Sequence, residues 1–137
     1  MNERLKTIID LEKYPIHDLT SPIIRNLVKK CKEELEQYSC STIPNFILPK
    51  SLEVMSQELE KQLDEVYMSK ESINPYLYAK DDPSLPKNHP KRTFMNRYNG
   101  YLNSDCFPKD SEMKYLYETE ELLKFVSACL GVSPIYR

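Results

Sequence analysis

Residues 21–35 read SPIIRNLVKKCKEEL, and this stretch decides the fold class. Ser21 and Pro22 make a helix start. A serine oxygen can accept from the free N–H groups of a first turn, and proline fits the first helical position, where an N–H has no intrahelical partner anyway. Ile24, Leu27, Val28, Cys31 and Leu35 then follow at three- and four-residue spacing, which gathers them on one helical face. Lys29, Lys30, Lys32, Glu33, Glu34 and Glu36 cover the other side. A helix with one apolar stripe has to bury it, so packed helices are expected to carry the fold.

Toward the N-terminus, residues 2–13 are expected to form a short helix with Leu5, Ile8, Ile9 and Leu11 as contacts. Tyr14-Pro15 stops it, because the residue before proline is pushed out of the helical region. Downstream, residues 41–48 (STIPNFIL) read as a short strand that Pro44 confines to an edge or an end. Ser51 is expected to cap a second long helix with Leu52, Met55, Leu59, Leu63 and Val66 as its buried stripe. Residues 70–90 read as a loop rich in Pro, Asp, Asn and Lys, and loops of that length are usually functional or disordered. Residues 93–102 (TFMNRYNGYL) read as one or two extended segments, with Asn99-Gly100 as a tight turn or bulge.

Residues 111–118 are expected to form a short helix. Thr119 caps another, with Glu120 and Glu121 in the first turn, where negative charge suits the helix dipole. Leu122, Leu123, Val126 and Leu130 make its apolar side, and Gly131 is a natural stop. Residues 133–137 look like the first residues of a strand, as though a sheet were cut off at its beginning. The expected class is α+β, mainly α, with residues 1–137 as a single region.

Composition narrows the function classes. With 40% hydrophobic and 29% charged residues, disorder along the whole length is not expected. The net charge of -2 lacks the basic excess of a general nucleic-acid binder, and the apolar runs are too short to span a bilayer. The start of the chain is charged and has no signal-peptide h-region, so a cytoplasmic protein with reduced thiols is the simplest expectation. Two glycines exclude the common phosphate-cradling loops, since neither GxGxxG nor GxxxxGK[ST] occurs.

The residues that carry chemistry are few. His17 and His89 are far apart, and there is no HExxH motif or CxxC pair, so metal binding by this chain is not expected. Of the cysteines at 31, 40, 106 and 129, Cys31 and Cys129 read as small core residues and Cys106 as the plausible exposed thiol, with no base beside it. The stretch from Lys80 to Arg97 interleaves basic and aromatic residues, which could touch an anionic ligand or single-stranded nucleic acid, but a solvated loop followed by an edge strand is the favoured reading. Within it, Arg97, Tyr98 and Asn99 stand beside Gly100. Arginine offers a fork that matches a carboxylate, and glycine permits close approach of a ligand or a strand. A site for a small carboxylate is the sharper reading.

The order of motifs adds a family. Asp10-Leu11-Glu12-Lys13-Tyr14-Pro15-Ile16, then Ser21-Pro22 and its helix, then Ile43-Pro44-Asn45-Phe46-Ile47, resembles the opening of one family of iron- and 2-oxoglutarate-dependent oxygenases. That family, often called HalD/BesD, comprises radical halogenases of free amino acids and related hydroxylases. Asn74-Pro75-Tyr76-Leu77, Asp82-Pro83-Ser84-Leu85-Pro86, His89-Pro90-Lys91-Arg92, Asn99-Gly100, Leu116-Tyr117, Leu130-Gly131 and Ile135-Tyr136-Arg137 continue it over nearly the whole chain.

The resemblance implies an incomplete double-stranded β-helix (cupin-like) fold, with these helices on its outside and the 70–101 region over the substrate pocket. It makes Arg97 and Asn99 contacts for a small amino-acid-like substrate. Fe(II) and 2-oxoglutarate are the cofactors implied for a complete member, none of them bound by this chain, because the His-x-Asp or His-x-Gly motif, the distal His and the 2-oxoglutarate arginine are absent from it. The chain is therefore expected to be catalytically incomplete, with hydroxylation and halogenation both open. A non-catalytic helical interaction module is the alternative, and self-association through an exposed sheet edge fits either.

Overall fold

The computed structural model describes residues 3–136, which form two compact units. One joins the chain up to Lys61 with the chain from Phe107 onward; the other is Gln62–Cys106. The first holds five helices: α1 (Glu3–Ile8), α2 (Pro22–Tyr38), α3 (Pro49–Glu60), α4 (Glu112–Glu118) and α5 (Glu120–Leu130). The second holds two strands, β1 (Tyr67–Ile73) and β2 (Met95–Tyr101). The class is α+β and mainly helical.

Helix α2 starts at Pro22 as its sequence predicts, but the Ser21 hydroxyl makes no capping bond; its carbonyl accepts from Arg25 N–H at 3.0 Å instead. Ile24 and Cys31 are buried, and Leu27 and Val28 pack partly against the same core. The helix stops at Ser39 in the left-handed conformation (φ 56°), with its N–H on Leu35 O. Helix α5 packs on α2. Its inward face carries Phe125 and Cys129, while Val126 and Leu130 are exposed, so the expected apolar side is rotated. Phe125 stacks with Phe46 at 6.0 Å between ring centroids, and the largest ring on the helix sets which way it faces. Gly131 (φ 69°) ends α5 as predicted.

Helix α1 is shorter than residues 2–13, because the chain leaves it at Ile9 to pair with Ile47. Leu48 N–H donates to Ile8 O at 2.8 Å and Asp10 N–H to Phe46 O at 3.2 Å. That single bridge is all that forms where residues 41–48 were expected to be a strand. Pro44 lacks a donor and Asn45 sits at φ 57°, so no extended run develops. Helix α3 begins at Pro49, with Leu48 at the cap position, so Ser51 is not its cap. The Ser51 hydroxyl is buried and donates to Thr7 O at 2.8 Å.

The expected stripe of α3 is corrected too. Met55 is 5% exposed, but Leu52 is 53%, Leu59 41% and Leu63 60% exposed, and the helix ends before Leu63 and Val66. The inward face is Ser51, Met55 and Glu58, spaced four and three residues apart. The Glu58 carboxylate accepts from Ser111 Oγ at 2.7 Å and Glu112 N–H at 2.9 Å, which fixes α3 against the start of α4. Ser111 caps α4 by accepting from Lys114 N–H. The core they surround is Leu5, Ile8, Ile9, Ile16, Ile24 and their neighbours, all buried.

In the second unit β1 and β2 form an antiparallel ribbon, with Tyr67 opposite Tyr101 and Ile73 opposite Met95. Residues 70–73 are thus strand, where a loop was expected. Asn99 and Gly100 lie within β2, opposite Ser69 and Met68, and form neither turn nor bulge. Gly100 does serve a close approach: a Cβ there would stand 2.8 Å from Val66 Cγ1. Asn74 organises the start of the connection between the strands. Its Oδ1 accepts from the N–H groups of Tyr76 and Tyr78, and its Nδ2 donates to Lys91 O at 2.7 Å. Residues 133–136 are not a strand, since no described segment pairs with them; Arg137 lies outside the described residues.

Candidate functional site

Alternation along a strand places Arg97, Asn99 and Tyr101 on one face of β2. The register sets Glu71, Ser69 and Tyr67 of β1 directly opposite them, on the same face. The Asn99 amide lies between its two neighbours. Its orientation follows from the hydrogen-bond network. With the oxygen toward Arg97 it accepts from Nε at 2.5 Å and Nη2 at 2.9 Å, and from the Tyr101 hydroxyl at 2.8 Å, while its nitrogen donates to Tyr98 O at 2.9 Å. The opposite orientation satisfies only the contact to Tyr101. The guanidinium is therefore held along its own strand by one edge. Its other edge, Nη1 and Nη2, remains a fork of parallel donors at an exposed position.

The two residues that the sequence singles out, Arg97 and Asn99, are thus in direct contact. Tyr101 and Glu71 were not singled out. Tyr101 has a local signal, two residues beyond Asn99 in an alternating run. Glu71 has none without the register.

Three other basic residues of the 80–97 stretch, His89, Lys91 and Arg92, serve local structure. Arg92 grips Asp81 with two bonds, Nε–Oδ1 at 2.9 Å and Nη2–Oδ2 at 2.8 Å, and donates a third to Leu85 O. The bond from Arg92 holds the Asp81 carboxyl below the usual carboxylate range. A bond from the Ser84 hydroxyl does the same for Asp82. His89 Nδ1 accepts from Lys91 N–H at 3.1 Å, and Lys91 Nζ sits 5.8 Å over the Tyr76 ring.

His17 is exposed in the helical unit. Among the described residues no group of three or more His, Cys, Asp or Glu side chains is placed to hold a metal ion. Cys31 and Cys129 are buried; burial first, and Cys31 second, push the Cys129 thiol up to about 12. The exposed thiol is Cys40, whereas Cys106 is half-buried, which reverses the expectation for Cys106. The helical unit also carries an open apolar groove between α3 and α4, lined by Ile47, Leu52, Met55, Leu59, Met113 and Leu116. Among the described residues no helix is long and apolar enough to cross a membrane.

Compared with family models, with curated proteins and with solved structures, the chain matches none.

Proposed function

We propose that this chain is the N-terminal, mainly helical portion of an Fe(II)- and 2-oxoglutarate-dependent oxygenase or halogenase, and that Arg97 and Asn99 hold its small amino-acid-like substrate. The observation that supports this most is the Arg97 guanidinium, oriented by Asn99 and Tyr101 with one donor edge left over for a carboxylate. On this reading the helical unit lies outside a double-stranded β-helix (cupin-like) core, and residues beyond this chain supply the iron and 2-oxoglutarate sites. The protein is cytoplasmic and uses neither nucleic acid nor membrane.

The test is 2-oxoglutarate turnover by the protein expressed from its complete reading frame, assayed with Fe(II), oxygen and a panel of free amino acids. At least one amino acid should drive succinate release. Arg97→Ala should lower kcat/KM for it by roughly ten- to a hundredfold, the loss of one charge-assisted contact. No amino-acid-dependent turnover, or unchanged kinetics in a folded Arg97→Ala protein, would overturn the reading.

The apolar groove beside α3 favours a second reading, a non-catalytic helical module that docks a partner there. Absence of turnover together with loss of a partner on Leu59→Asp would select it.

A further inference from the structure

We infer that the outer edge of β2 pairs antiparallel with the same edge of a second copy of this chain, about a two-fold axis at Tyr98, and so builds a four-stranded sheet.

A two-stranded ribbon is marginal by itself; more strands, or a helix across one face, are ordinarily needed. In β1 and β2 only Ile73 is buried. Each strand pairs with the other on one side only. Among the described residues no backbone hydrogen bond reaches either strand from outside the ribbon. The Asn99 amide takes one lone pair of Tyr98 O, and a carbonyl has two. Both outer edges are therefore templates for another strand.

Charge decides between the two edges when the partner is a second copy. Two like edges join antiparallel about an axis normal to the sheet, which sets one residue directly opposite itself. Pairing over the whole of β1 (Tyr67–Ile73) puts Lys70 at that place, and like charges directly opposite repel. Lysine on an edge is a common guard against such pairing. Strand β2 (Met95–Tyr101) has no lysine, proline or bulge, and its middle residue is Tyr98, 65% exposed. Pairing over the whole of β2 sets Tyr98 against Tyr98 of the second copy, an aromatic pair that favours the ladder.

The other positions agree. Arg97 stands opposite a neutral amide, Asn99 of the second copy. The two Arg97 side chains are only diagonal, each turned along its own strand toward Asn99 and each with Glu71 across its own ribbon. Met95 meets Tyr101 at both ends, and thioether sulfur packs well against an aromatic ring. Met95 and Tyr101 are exposed in the single chain. The pairing runs through the edge and leaves the face with Arg97 and Asn99 open, so it stands whether or not those residues hold a substrate.

The test is sedimentation equilibrium of the full chain at rising concentration. Wild type should pass from monomer to dimer and stop there. Tyr98→Lys sets like charges against each other and should weaken the dimer at least about tenfold. Tyr67→Lys, on the outer strand, should leave it unchanged. In a Cys40→Ser, Cys106→Ser background under mild oxidant, Tyr98→Cys should cross-link to itself, because directly opposite Cα atoms lie within the reach of a disulfide. Met95→Cys should not, since the two copies of position 95 would be about 20 Å apart along the strands. This contrast reads the register even if the lysine variant does not fold. A chain that stays monomeric up to about 1 mM would overturn the inference and leave the edge to a strand from elsewhere. A dimer indifferent to Tyr98→Lys in a folded variant, or equal cross-linking at positions 95 and 98, would overturn it too.

Discussion

Replacing Glu58 by alanine should cost about 2–3 kcal/mol of stability. The Glu58 carboxylate takes the Ser111 hydroxyl at 2.7 Å and the Glu112 N–H at 2.9 Å; the Met113 N–H, at 3.5 Å, is too long to count. A hydrogen bond to a charged group contributes about 1.5–3 kcal/mol net. Both bonds share one half-buried carboxylate, so they add incompletely. Ser111, however, is fully buried, and its hydroxyl cannot turn to water when the carboxylate is gone. The Glu112 N–H is among the free donors of a helix start, where the dipole favours a negative charge. Urea unfolding of Glu58→Ala, Ser111→Ala and the double variant gives the coupling between them, expected at about 1 kcal/mol or more for groups in direct contact. Glu58→Gln keeps one acceptor oxygen and should lose roughly half as much as Glu58→Ala. Additive single effects, or a Glu58→Ala cost under about 0.5 kcal/mol, would refute the claim that this carboxylate joins α3 to α4.

Met55→Ala should cost about 2–5 kcal/mol, but Leu59→Ala only roughly 1 kcal/mol, because Leu59 is 41% exposed and its loss leaves no closed cavity; equal costs in urea unfolding would contradict this. In native protein, iodoacetamide should modify Cys40 first and leave Cys129 protected until unfolding, since a thiol pushed up to about 12 offers almost no thiolate. Mass spectrometry showing both labelled at one rate would count against it. The Asp81 carboxyl is depressed in the folded chain, so its contact with Arg92 contributes fully above the ordinary carboxylate range and is lost as pH falls through the lowered value. Carboxyl NMR titrations should place Asp81 higher in Arg92→Ala than in wild type; identical titrations would remove Arg92 as the cause.

Helices α2, α4 and α5 were legible because their signals are local: proline at a first position, serine before α4, Gly131 after α5. The face of α3 was not. Leu52, Met55 and Leu59 keep helical spacing, but the inward face is chosen by two polar residues, Ser51 on Thr7 and Glu58 on Ser111, whose partners are distant in sequence. A hydrophobic pattern is blind to such partners. Strand β1 was missed for a related reason. Residues 67–73 (YMSKESI) lack apolar alternation, and only pairing with β2 makes them a strand. The candidate site divides the same way: Arg97 and Asn99 are neighbours two positions apart, while Glu71 joins them only through the ladder.

Gly100 also works as an alignment key. A one-residue slip of β2 against β1 would bring Asn99 or Tyr101 to the place where even a single added carbon would stand 2.8 Å from Val66. Such a slip would also carry Arg97, Asn99 and Tyr101 to the opposite face, away from Glu71. A two-stranded ribbon has few other means of choosing its pairing, since neither face is deeply buried. The missing side chain at position 100 thus determines which charges meet across the ribbon.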